Sequence, residues 1–137
     1  MEHRPDVLSV LIGVNDVWRQ YQGPERLGQA VCEQEYEQTY RRLLGEVKEK
    51  FDSQLVIIEP FMFCDNEDDE VFATLRRYIS IVNAIAKDFG AVIVPLQGLI
   101  DEQIKTVAAG RWSADSVHPF VWAHSWIAQR WIEATKV

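Results

Sequence analysis

Asp6-Val7-Leu8-Ser9-Val10-Leu11-Ile12-Gly13, followed at once by Val14-Asn15-Asp16, decides how this chain is read. The run is almost continuously apolar and rich in β-branched residues. That is the pattern of a strand buried on both faces of a parallel sheet, not of one that alternates between core and water. Leu55-Val56-Ile57-Ile58-Glu59-Pro60 and Ala91-Val92-Ile93-Val94-Pro95 repeat it, each stopped by a proline. Between these runs, Glu33 to Phe51 carries Tyr36, Tyr40, Leu43, Leu44 and Val47 at helical spacing, and Asp69 to Phe89 does the same with Phe72, Leu75, Ile79, Val82 and Ile85. Gly90 suits the C-cap of the second helix. A shorter helix is expected over Leu99 to Ala109. A last one runs from Val121 to Thr135, with Trp122, Trp126, Ile127, Ala128 and Trp131 as its buried stripe. Strands alternating with helices predict an α/β fold with about three parallel strands and right-handed crossovers.

In such sheets, sites form where strand C-termini meet the loops that follow. Gly13 to Asp16 lies just past the first strand, where backbone and side-chain donors are well placed. A second candidate is Asp115-Ser116-Val117-His118-Pro119. A carboxylate three residues before a histidine, in a loop that leads into an amphipathic helix, suits a base and its orienting partner. Such a pair needs a nucleophile to activate. Each motif also has a plainer reading. Asn15 and Asp16 fit a capping role, because their side chains readily bond nearby amides, and Asp115 with His118 fits a loop-stabilising hydrogen-bonded pair. Their joint occurrence favours the chemical reading.

Composition narrows the partners. The 137 residues, 47% hydrophobic, suit one domain over residues 1–137 with a sizeable core. A formal charge of -7 repels phosphate backbones and anionic lipid, so nucleic acid and membrane surfaces are not expected partners. The longest apolar runs are too short to span a bilayer and no signal segment opens the chain. Cys32 and Cys64 lack CxxC spacing and read as free thiols, so a cytoplasmic protein is expected. The acidic run Asp65 to Glu70 reads as a solvated loop and helix start, without the fixed geometry a metal needs. His124 reads as a packed or helix-facing residue, His3 as part of the terminus, and the tryptophans at 112, 122, 126 and 131 as packing. Trp18 is set apart as a candidate pocket wall.

Gly13-Val14-Asn15-Asp16 and Asp115-Ser116-Val117-His118-Pro119 together resemble the Gly-x-Asn-Asp and Asp-x-x-His-Pro blocks of the SGNH hydrolases, also called the GDSL esterase/lipase family. Ala123-His124-Ser125-Trp126-Ile127-Ala128 resembles the helix that follows, so the likeness runs through essentially the whole chain. The resemblance implies a flavodoxin-like three-layer α/β/α fold. It implies His118 as general base, Asp115 as the carboxylate that sets its tautomer, Asn15 and Gly13 as oxyanion and substrate-binding positions, and Asp16 as loop support. It implies a small ester or acetylated carbohydrate as substrate, and neither metal nor organic cofactor.

Family members begin with a strand that ends in Gly-Asp-Ser and carries the nucleophile, and a second block supplies an oxyanion glycine. Neither is present here, so the chain reads as starting near the family's third strand. Ser9 lies within a strand, Ser116 sits between Asp115 and His118, and Ser53, Ser80, Ser113 and Ser125 carry no motif. The strand at Val7 to Ile12 is then expected to be an open edge and to join copies of the chain in a homodimer or higher oligomer. Two functions follow: an ester hydrolase of small-acyl or carbohydrate-deacetylase type, or a non-catalytic binding or oligomerising remnant of that fold.

Overall fold

A computed structural model describes residues 4–66 and 68–136. His3 and part of the acidic run, Glu67, lie outside the described residues. Among the described residues, three strands and six α-helices follow one another as β1 (Val7–Val10), α1 (Val14–Arg19), α2 (Pro24–Leu27), α3 (Glu33–Lys50), β2 (Gln54–Ile58), α4 (Glu70–Phe89), β3 (Val92–Val94), α5 (Leu96–Ile104) and α6 (Val121–Thr135). A single 3-10 turn occupies Ala109–Arg111. The strands pair in parallel in the order β1-β2-β3, with Leu8 beside Leu55 and Ile57 beside Ile93.

The alternation of side chains along β2 builds the two faces. Leu55 and Ile57 point into a core shared with Val17 of α1, Tyr36, Tyr40 and Leu44 of α3, and Phe72, Leu75, Tyr78, Val82 and Ile85 of α4. Val56 points the other way, onto Val94, Leu96, Ile100, Trp112 and Ala123, so α5 and α6 cover the second face. This is the three-layer α/β/α arrangement. Helix α4 is well bounded: the Asp69 carboxylate accepts from the Phe72 amide at 2.9 Å, and Gly90 ends the helix in the left-handed conformation at φ 62.

Five expectations need correction. The first strand stops at Val10, and Leu11 and Ile12 leave it 43% and 44% exposed. Among the described residues β1 is an edge strand paired to β2 alone, and it is half-buried, not buried on both faces. The helix expected over Leu99 to Ala109 begins earlier, at Leu96 after Pro95, and ends at Ile104. Just past that end the Thr106 hydroxyl bonds the Gln103 carbonyl. On α6 the fully buried positions are Ala123 and Thr135; Trp126, Ile127 and Trp131 are half-buried, while Trp122 and Ala128 face outward. On α3, Leu43 also faces outward. Helices α1 and α2, too short to show a periodicity, carry no signal in the hydrophobic pattern.

Candidate active site

Beyond β1 the chain turns sharply at Gly13, whose φ of 126 lies in the region that favours glycine. A Cβ there would sit 2.9 Å from the Tyr36 hydroxyl and 3.3 Å from Pro60, so the turn is both left-handed and closely packed. The Tyr36 hydroxyl donates to the Ile12 carbonyl at 3.0 Å. Burial pushes its pKa far above the usual tyrosine value, which keeps it a donor. The Gly13 carbonyl accepts the amides of Asp16 and Val17 at 3.1 and 3.2 Å and so starts α1. Asn15 therefore stands exposed in the first turn of a helix rather than in a loop, while Asp16 is half-buried with its carboxyl pKa raised by desolvation.

At the other end of the chain, the Phe120 amide donates to the Trp112 carbonyl at 2.8 Å, and Ser113 bridges to Pro119. The loop closed in this way carries Asp115 and His118. Asp115 Oδ1 accepts from the amides of His118 at 2.9 Å and Val117 at 3.1 Å and from the Ser113 hydroxyl at 3.0 Å. Its Oδ2 lies 2.6 Å from His118 Nδ1. The His118 amide and ring, with the other donors, hold the Asp115 carboxyl well below the usual carboxylate range. An ionised acceptor at Nδ1 selects the tautomer protonated there and leaves the lone pair on Nε2. The imidazole is 76% exposed, and its ring is tilted against Trp18 with centroids 5.9 Å apart.

The two motifs meet in one pocket of about 250 Å³, lined by Leu11, Ile12, Val14, Asn15, Pro60, Phe61, Val117 and His118. Asn15 and His118 thus share a wall, whereas Gly13 packs behind it and Trp18 touches the imidazole. The apolar lining from Leu11, Ile12, Pro60 and Phe61 escaped the sequence reading. The rule that located Gly13 to Asp16 beyond β1 applies equally to Pro60-Phe61 beyond β2. A larger cleft of about 410 Å³ lies elsewhere, among Cys64, Asp65, Phe72, Arg76, Asp101 and Lys105, and contains neither motif. Chemistry, not size, picks the smaller one.

No serine hydroxyl hydrogen-bonds the His118 ring among the described residues. Ser9 accepts from Trp131 Nε1 at 2.9 Å, Ser113 is committed to Asp115, and Ser53, Ser80 and Ser125 bond backbone carbonyls of Pro5, Arg76 and Val121. Among the described residues no group of three or more His, Cys, Asp or Glu is arranged to hold a metal.

A model of the GDSL-like lipase/acylhydrolase family matches residues 1–124. An acetylxylan esterase of Geobacillus stearothermophilus is 34% identical over 129 residues, which are 94% of this chain and 58% of that enzyme. The crystal structure of an acetylxylan esterase from the same organism superposes with a TM-score of 0.91 at 33% identity, covering 98% of this chain and 61% of the other. An alpha/beta hydrolase enzyme from the metagenome of Lake Arreo, Spain, superposes with a TM-score of 0.90 at 28% identity, covering 97% and 61%. The chain therefore spans about three fifths of the length of these relatives. Solved variants of the Geobacillus stearothermophilus esterase described as catalytic mutants replace a serine, an aspartate and a histidine, the last two three residues apart. The replaced serine lies farther ahead of that aspartate than the whole stretch that precedes Asp115 here.

The Asp115 carboxyl ionises more readily folded than unfolded. Its bonds therefore contribute stability above the ordinary value of 3.8, and that contribution is lost as pH falls below it. Urea unfolding of wild type and Asp115→Asn should differ by a constant amount above about pH 5 and converge as the pH falls further. A difference independent of pH would contradict this placement of the charge.

Proposed function

The chain belongs to the GDSL-like lipase/acylhydrolase family, and we propose that its site serves the hydrolysis of small acyl esters, acetylated carbohydrate above all. In this reading His118 Nε2 takes the proton from an attacking hydroxyl and returns it to the leaving alcohol, and Asp115 holds the ring and stabilises the imidazolium. The Asn15 side-chain amide donates to the oxyanion of the tetrahedral intermediate. The observation that carries this is the pocket in which Asn15 and His118 share a wall. Support for the assignment of Asp115 and His118 comes from the three-residue spacing of the aspartate and histidine replaced in the esterase variants. Support for an acetyl-carbohydrate substrate comes from the two acetylxylan esterase matches.

The engaged hydroxyls of Ser9 and Ser113 favour a second reading, a binding module in which the pair has no nucleophile to activate. Ester hydrolysis separates the two. With p-nitrophenyl acetate and acetylated xylo-oligosaccharide, the purified chain should show a rate that His118→Ala abolishes and that Asn15→Ala lowers on the order of a hundredfold. A serine-directed phosphonate with mass readout then locates the nucleophile. A rate indifferent to His118→Ala would establish the binding module instead.

The reading extends to assembly and setting. The edge of β1 that no strand of the described residues pairs, continued by exposed Leu11 and Ile12, is a template for strand addition by a second copy. The free thiols Cys32 and Cys64 suit the reducing cytoplasm. Gel filtration at low micromolar concentration should give a mass above the 15.8 kDa of one chain, and a clean monomer would contradict pairing through this edge.

A further inference from the structure

Just beyond β2, buried Glu59 and Gln97 form a polar network inside an otherwise apolar layer. Glu59 Oε1 accepts from Asn83 Nδ2 at 2.8 Å, and its Oε2 accepts the Gln97 amide at 3.1 Å. The Gln97 side chain then treats Met62 as a strand neighbour would. Its Oε1 accepts the Met62 amide at 2.8 Å, and its Nε2 donates to the Met62 carbonyl at 3.1 Å and to Asp101 Oδ1 at 2.8 Å. Every polar atom of that amide is used, and the segment it holds bears on the candidate site. The next amide, that of Phe63, donates to the Ser116 carbonyl at 2.8 Å.

Ser116 carries φ 70, a left-handed conformation disfavoured for a residue other than glycine. Its carbonyl belongs to the same peptide unit as the Val117 amide, which donates to Asp115 Oδ1 at 3.1 Å. That peptide is clamped from both sides, by Phe63 on its oxygen and by Asp115 on its nitrogen. Releasing the oxygen lets Ser116 relax and turns the Val117 amide away from the carboxylate.

We propose that Gln97 is a positioning residue for the Asp115–His118 pair, acting through Met62 and Phe63 on the strained Ser116–Val117 peptide. This rests on the reading of Asp115 and His118 as a catalytic pair. The test reads the carboxylate itself, so a chain without esterase activity leaves it intact.

The probe is the 13C signal of the Asp115 side-chain carboxyl, followed from neutral pH into acid. In wild type it stays ionised to well below the ordinary value of 3.8. In Gln97→Leu the inflection rises toward that value, because the Val117 amide, one of the donors to the charged form, is lost. Adding Ser116→Gly to Gln97→Leu brings it back down, since glycine adopts the left-handed conformation without the cost that drives relaxation. A folded Gln97→Leu, checked by circular dichroism, with an unmoved Asp115 titration overturns the proposal. So does a rise that Ser116→Gly leaves in place. Should Gln97→Leu not fold, Asp101→Ala removes one partner of the amide at a more exposed position. A smaller rise in the same direction is then expected, and no rise is contradictory.

Discussion

The continuation of β2 past its last paired residue is the constraint on which the rest of the molecule depends. Leu55 to Ile57 hold the two helical layers apart and together, and Glu59 to Phe63 remain buried after the strand has ended. That segment carries Pro60 against the Gly13 turn, Phe61 into the pocket and the Phe63 amide onto the Ser116 carbonyl. Backbone this deep must have its polar groups met. Gln97 meets those of Met62 where a further strand would otherwise do so. One stretch of five residues thus fixes both motifs, although neither lies within 40 positions of it in the sequence.

The site is asymmetric in rigidity. Asn15 rises from a short helix whose first turn is seated by Tyr36 beneath and by the Gly13 carbonyl. His118 stands largely in solvent, held by one strong charge-assisted bond to Asp115 and by contact with Trp18. Restricting the imidazole through its Nδ1 side while leaving Nε2 open suits a base that must accept and return a proton. An exposed base gains less from its carboxylate than a buried one would, because water screens the pair.

Much of this was legible in the sequence, for identifiable reasons. The strands showed as unbroken apolar runs, a pattern that burial on both faces forces on β2 but that β1 carries at an edge, and α3, α4 and α6 showed because a one-sided core forces helical spacing. Gly90 marked the C-terminal end of α4 by the left-handed conformation that it adopts. What stayed hidden was short or depended on contacts distant in sequence. Helices α1 and α2 have too few turns for a periodic signal, and the early start of α5 turns on the single residue Pro95. The exposure of Leu11 and Ile12 follows from β1 lying at an edge, which only strand order reveals. The proximity of Asn15 and His118, 103 positions apart, was suggested by motif and not by pattern. The roles of Gln97 and Phe63 had no sequence signature, since a buried glutamine bonding backbone looks like any other polar residue on a helix.

In the proposed function Asn15 and His118 serve one small acyl group from one pocket. The most direct measurement is a titration of the 15N-labelled chain with an acetylated xylo-oligosaccharide, following the Asn15 side-chain amide and the His118 ring together. Both signals should move with a common saturation curve while those of Arg76 and Asp101 in the larger charged cleft stay still. Movement confined to that cleft, or of only one of the two residues, would contradict it.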